Sequence, residues 1–221
     1  MATVEFQRAR SSEAKQQRLD AILDAARQLG TEKGIRQVTL TEIGERVGLH
    51  KSAMLRYFET REQILLTLTA AEWRGWTPAL LGRTARMPAG VAVARVARAV
   101  AGTLVERPLF CDLLAQTPLN LERNVSLESV REFKLVTLEQ VAAISAEFTR
   151  LLALSEQQGV DVIAAATSLA GALWQMATPG PEVAKLYRED PRLAHAVVEV
   201  EPRLTRILTA MLAGMPSRPA G

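Results

Sequence analysis

The chain has 221 residues, 48% hydrophobic and 23% charged, with a net charge of +3 and a single cysteine. These proportions suit a globular chain of one or two domains with a proper core, and they exclude low-complexity, collagenous and disulfide-framed proteins. One cysteine fits a reducing compartment and the opening MATVEFQRAR carries no apolar signal segment, so a cytoplasmic protein is expected.

The first residues form a basic leader, Arg8, Arg10, Lys15 and Arg18. It is open to two readings, a solvated tail or an arm that touches a polyanion. Up to Glu62 there are 11 Lys and Arg against 9 Asp and Glu, and beyond it 16 against 15, so placement rather than total charge must carry any electrostatic function.

From Val38 to Leu66 the caps and spacing are the most specific in the chain. Thr39 stands three positions before Glu42, the arrangement in which each side chain satisfies a free backbone N–H at a helix start. Ile43 and Val47 share a face, and Gly48 follows where a left-handed residue closes a helix. A short turn through Leu49 and His50 leads into a second helix, Lys51 to Phe58, with Met54, Leu55 and Phe58 as its apolar members. His50, Lys51, Ser52, Arg56 and Tyr57 point outward, and with Thr39 and Thr41 at the start of the first helix they are donors suited to base edges and phosphates. Thr60 and Gln63 repeat the cap. Arg61 then sits in a first helical turn, where a cation opposes the helix dipole and calls for an external anion such as a phosphate. Together these features describe a helix-turn-helix, open to two readings: a reader of double-stranded DNA, or three short amphipathic helices of an ordinary α-helical domain whose basic residues are merely solvated.

Downstream, apolar periodicity near 3.6 continues without a strand signal or repeat, so the predicted fold is all-α, with about nine helices. Helices are expected from Ile64 to Leu81, Gly90 to Val105, Pro108 to before Pro118, Ser126 to about Leu154, Asp161 to Ala177, Pro181 to Glu189 and Pro191 to Ala213. The Ser126 helix spans on the order of 43 Å and would be the backbone of its domain. The longest uncharged run, Val162 to Pro181, is ended by Pro179 and falls short of a membrane span, so no membrane partner is expected. Its small residues, Ala164, Ala165, Ala166, Ala170 and Gly171, admit a close neighbour, either within the subunit or across a dimer.

Catalysis has little support. The chain has two histidines, His50 and His195, and it lacks metal-ligand spacing, a phosphate loop and a nucleophile elbow. Cys111 reads as a small buried hydrophobe. No enzyme activity, cofactor or metal is therefore expected.

Ile22 to Leu65 resembles the DNA-binding domain of TetR-family transcriptional regulators. The matching residues are Ala25-Ala26, Glu32-Lys33-Gly34, Thr39, Ile43, Val47-Gly48-Leu49, Tyr57-Phe58 and Arg61 before Ile64 and Leu65. Two positions depart from the pattern: His50 replaces a capping Ser or Thr, and Leu55 replaces a Tyr that touches the DNA backbone. The resemblance implies a reader at 1–63, an effector-binding and dimerisation domain at 64–215, and a frayed tail at 216–221. It further implies a homodimer paired through roughly 161–177 and 192–213 on a roughly palindromic operator. A small-molecule effector would then enter a cavity among the middle helices, with Trp73, Trp76, Phe110, Leu114, Asn120, Phe133, Trp174 and Met176 as candidate contacts, and release the repressor. The alternatives are a regulator without an effector and a helical adaptor that binds only protein.

Overall fold

The computed structural model describes the backbone from Ala2 to Met215 and side chains from Glu13 onward; Arg8 and Arg10 side chains and the 216–221 tail lie outside the described residues. Among these residues there are ten α-helices and no strand, and one continuous apolar core runs from Ile22 to Leu212.

Helix α1 (Ala2–Lys33) is followed by a 3₁₀ turn, Ile35–Gln37, then α2 (Leu40–Arg46) and α3 (Lys51–Met54). The reciprocal Thr39–Glu42 cap is present at α2, with the Glu42 N–H donating to Thr39 Oγ1 at 3.2 Å and the Thr39 N–H donating to Glu42 Oε2 at 3.0 Å. Gly48 has φ +66°, as its position predicts. A second glycine matters more for packing. A Cβ on Gly44 would lie 2.6 Å from the Leu49 carbonyl oxygen, so only glycine lets the turn fold back against α2.

Helix α4 (Arg61–Thr84) carries eleven buried residues, among them Trp73 and Trp76, and links the reader to the rest of the chain. Thr60 caps it through the Gln63 N–H at 3.1 Å, whereas the Gln63 side chain reaches past the cap to the Glu59 N–H at 2.6 Å. Helices α5 (Val93–Val105) and α6 (Pro108–Gln116) follow, and α6 runs into a π-helical turn, Thr117–Leu121. Ser126 caps α7 (Leu127–Leu152), which ends two residues earlier than expected because Ala153 turns left-handed at φ +53°.

Helix α8 (Glu156–Ala177) begins five residues before the predicted start, at a Ser155–Gln158 capping box. Its 22 residues are long and apolar enough to cross a membrane, so length does not exclude a span as the sequence reading expected. Within the chain α8 lies against α6, α7 and α10, and a Cβ on Gly171 would come within 2.8 Å of the Ala115 backbone N. Ala166, Ala170 and Gly171 are thus buried within the subunit. Helix α9 (Pro181–Glu189) matches its predicted bounds. The last predicted helix divides into a 3₁₀ segment, Pro191–Ala196, and α10 (Val200–Gly214), whose Leu204, Leu208 and Leu212 are buried, with α10 packed on α5 and α8.

Candidate DNA interface and ligand cleft

The reader exposes one face of α3 and the turn beyond it. Met54 and Phe58 point into the core, while His50, Lys51, Ser52 and Arg56 are exposed and Tyr57 is half-buried. Thr39 and Thr41 are exposed at the start of α2, with the Thr39 hydroxyl donating to Glu42 Oε2 at 2.7 Å. The regular helix is four residues rather than the predicted eight, and Leu55, expected inside, is 52% exposed on the same face as the polar group. His50 makes no side-chain cap, and its Nδ1 lies 3.2 Å from Ser52 Oγ.

Arg61 departs from expectation. Its guanidinium is turned into the molecule, donating to the Ile35 carbonyl at 2.6 Å and pairing with Glu62 at 2.7 Å. The anion that its position calls for is supplied internally, so no external phosphate is required. Other cations of the reader are likewise paired: Arg46 holds Glu32 through two hydrogen bonds, and Lys33 holds Glu42. The Lys33 hydrogen bond, with help from Thr39, pulls the Glu42 carboxyl down to about 2. Lys51 and Arg56 are exposed cations with no such partner among the described residues.

Among the described residues, acidic side chains join the reader to the body at three places. Asp112 of α6 is buried; its Oδ2 accepts the Ile35 N–H at 2.7 Å and its Oδ1 accepts the Gln175 side chain of α8 at 2.8 Å. Glu59 accepts the Ser126 N–H at 2.8 Å and the Ser129 hydroxyl at 3.0 Å, tying the end of the reader to the start of α7; the Ser126 N–H is the main cause of its lowered pKa. Glu72 of α4 lies between Arg27 of α1 and Arg107 at the start of α6, at 3.6 and 3.3 Å.

A cleft of about 730 Å³ opens among the π-turn, α7 and α8, within the roughly 300–1,000 Å³ range of small-molecule sites. Of the eight candidate effector contacts, Trp73, Leu114 and Phe133 line it. The other five candidates do not. Trp76 and Phe110 are fully buried, stacking with Trp73 and each other at centroid distances of 5.4 to 5.8 Å, and the Trp76 N–H donates to the Thr103 hydroxyl at 3.0 Å. These rings brace α4 against α5 and α6 instead of facing a ligand. Asn120 lies in a shallow depression beside Arg61 and donates to Gln116 at 2.8 Å. Trp174 borders a separate cavity of about 640 Å³ between the Gly30–Gln37 segment and α6 and α8. Met176 is 51% exposed near Tyr187 and His195.

Sequence reasoning missed Arg36, Lys134, Thr137, Val141, Ile163 and Thr167 as cleft residues. Arg36 stands on the Ile35–Gln37 turn; the helical spacing of the others on α7 and α8 was legible, but which face turns inward depends on the neighbouring helix. Ala164 and Ser168, on the small-residue stretch read as a site of close helix approach, also line the cleft. Cys111 is fully buried and donates to the Leu104 carbonyl at 3.3 Å; burial pushes its thiol up to about 12. No group of three or more metal-ligating side chains occurs among the described residues.

A capped helix-turn-helix mounted on a helical body with an apolar cleft defines the architecture of a one-component transcriptional regulator. The chain belongs to the TetR family: residues 22–68 match the model for bacterial regulatory proteins, tetR family, and residues 70–219 the tetracyclin repressor-like C-terminal domain. Among solved structures it is similar to Thermus thermophilus FadR in complex with lauroyl-CoA, at 16% identity and TM-score 0.57, over 92% of this chain and 98% of that one. Similar too are the fatty acid degradation regulator FadR of Bacillus halodurans (14%, 0.56, 89% and 99%) and RolR with resorcinol (14%, 0.51, 95% and 100%). At these identities the likeness is one of fold. A search of curated proteins found no significant match.

Proposed function

We propose that this protein is a cytoplasmic, homodimeric repressor whose reader, residues 1–63, occupies a roughly palindromic operator and is released by a small molecule bound in the body, residues 64–215. The observation that carries the reading is the face of α3 and its following turn, where Lys51 and Arg56 are unpaired cations beside His50, Ser52 and Leu55. The shared family and fold support the DNA role. The 730 Å³ cleft supports the ligand role, and so does the presence of lauroyl-CoA and resorcinol in two proteins of similar fold.

Release requires a ligand that prefers one of two arrangements of reader and body. Asp112 and Glu59 are two of the residues through which a shift of α6, α7 or α8 would reach the reader. Selecting bound duplexes from a random pool, followed by gel shifts over a salt series, tests the reading. A palindromic site should emerge, and Lys51→Ala and Arg56→Ala should each weaken binding, with a salt slope shallower by about 0.9 for each phosphate no longer neutralised. Salt-independent binding, or none, in the unmodified protein would refute a DNA role and favour a protein-binding adaptor.

A further inference from the structure

The cleft walls carry three charged side chains, Arg36, Glu122 and Lys134. Two of them neutralise each other, Lys134 Nζ lying 2.7 Å from Glu122 Oε1. Most neutral polar groups around the cleft are already engaged. The Thr117 and Thr167 hydroxyls donate to carbonyls one turn back at 2.8 and 2.9 Å, and the Gln175 amide donates to Asp112. Gln116 accepts from Asn120. Arg36 is different: it is exposed, and among the described residues its guanidinium has neither an ion pair nor a hydrogen bond. Much of the remaining lining is apolar, with Trp73, Leu114, Phe133, Val141 and Ile163 among it, and Arg36 also borders the two neighbouring cavities.

We propose that the cleft selects an amphipathic anion, with a hydrocarbon or aromatic body against the apolar wall and a carboxylate or phosphate oxygen paired with Arg36. This rests on the reading of the cleft as the effector site. Hydrophobic contact alone would hold a neutral molecule of the same shape equally well, whereas a guanidinium discriminates by charge and by its planar fork of donors. An organic cation would be repelled.

Arg36 also stands on the element that the ligand has to influence. It belongs to the Ile35–Gln37 turn leading into α2, and the adjacent Ile35 is held from both sides, its N–H by Asp112 and its carbonyl by Arg61. An anion drawing on Arg36 pulls this turn directly, while the ligand body presses on α7 and α8. The negative charge is therefore the part of the ligand that the reader senses.

Titration calorimetry of the full chain with dodecanoate, dodecyl phosphate, dodecanol and dodecyltrimethylammonium, each below its micellar concentration, compares four heads on one tail. At least one anion should bind roughly tenfold more tightly than the alcohol, and the ammonium most weakly. The stronger anion identifies the head group. Arg36→Gln, an exposed substitution, should bring that anion down to the alcohol's affinity and leave the alcohol unchanged. Equal binding of anions and alcohol, or a charge preference that survives Arg36→Gln, overturns the proposal while leaving the cleft in place as an effector site. Ala164→Trp and, independently, Ser168→Trp fill the cleft from exposed positions and should abolish binding of all four. Undiminished binding in both, or no binding to the unmodified chain, overturns the effector-site reading as well.

Discussion

Charge in the reader is sorted by pairing. Lys33 and Arg46 are tied to Glu42 and Glu32, Arg61 is turned inward to Ile35 and Glu62, and Lys51 and Arg56, like Arg36, have no ion pair among the described residues. The sequence showed which cations lie near the helix-turn-helix but not which have local acids, because Glu32 and Arg46 are fourteen positions apart and meet only when α1 and α2 pack. The Glu42 pair has a pH signature. With its folded pKa near 2, below the ordinary carboxylate value, Glu42 contributes stability that is complete above about pH 4.5 and fades as pH falls toward 2. Urea unfolding across that window should show Glu42→Gln with a shallower acid loss than the unmodified chain; identical slopes would mean that the pair contributes nothing. At the same scale, Leu55 is an exposed apolar side chain on the proposed reading face, beside Lys51, Ser52 and Arg56. Such a surface suits a thymine methyl, so Leu55→Ala should relax the preference for thymine at one operator position in selected sequences, and an unchanged preference would exclude the contact.

Among elements, the helix starts marked by Thr39, Thr60, Pro108, Ser126 and Pro181 were legible, since these residues act locally and all stand where the structure places a cap or first turn. Other starts were missed, that of α8 by five residues, whereas the ends at Val105, Ala177 and Glu189 fall where expected. Ala153 closes α7 in a left-handed conformation that carries no glycine signal, and Ala153→Gly should stabilise the chain by about 1 kcal/mol in chemical denaturation. The connection between reader and body was not legible at all, because Asp112 and Ile35 are 77 positions apart and the side chain bonds a backbone amide that any residue would offer. Asp112→Ala leaves that buried N–H without an acceptor, a loss of about 2 kcal/mol. It should also speed hydrogen exchange at the Ile35 amide, whereas Asp112→Asn, which keeps an acceptor, should restore protection. Unchanged exchange in Asp112→Ala would show that this bond does not hold the turn.

For the whole molecule, the all-α architecture followed from periodicity, but the division of apolar faces between core, cleft and partner did not. Part of the small-residue stripe on α8 is spent on α6, with Gly171 against Ala115, and the buried face of α10 packs within the subunit. What remains for a second copy includes the exposed Ile207 on α10 and Met176 on α8. Ile207→Glu should therefore shift the protein from dimer toward monomer in analytical ultracentrifugation and lower operator affinity more than it lowers the melting temperature. A dimer of undiminished strength would place the two-fold contact on another face.

The bond from Asp112 to Ile35 also bears on how such a protein can be re-engineered. Gly34 beside it adopts φ +82°, and its missing Cβ would sit 3.5 Å from Asp112 Oδ2. A reader transplanted from another protein would thus have to bring its own glycine and 3₁₀ turn to meet this carboxylate. On the proposed function, specificity and responsiveness would then not be interchangeable parts, and a hybrid joined at the proposed boundary between residues 63 and 64 should exchange residues 34–36 and 112 as a set.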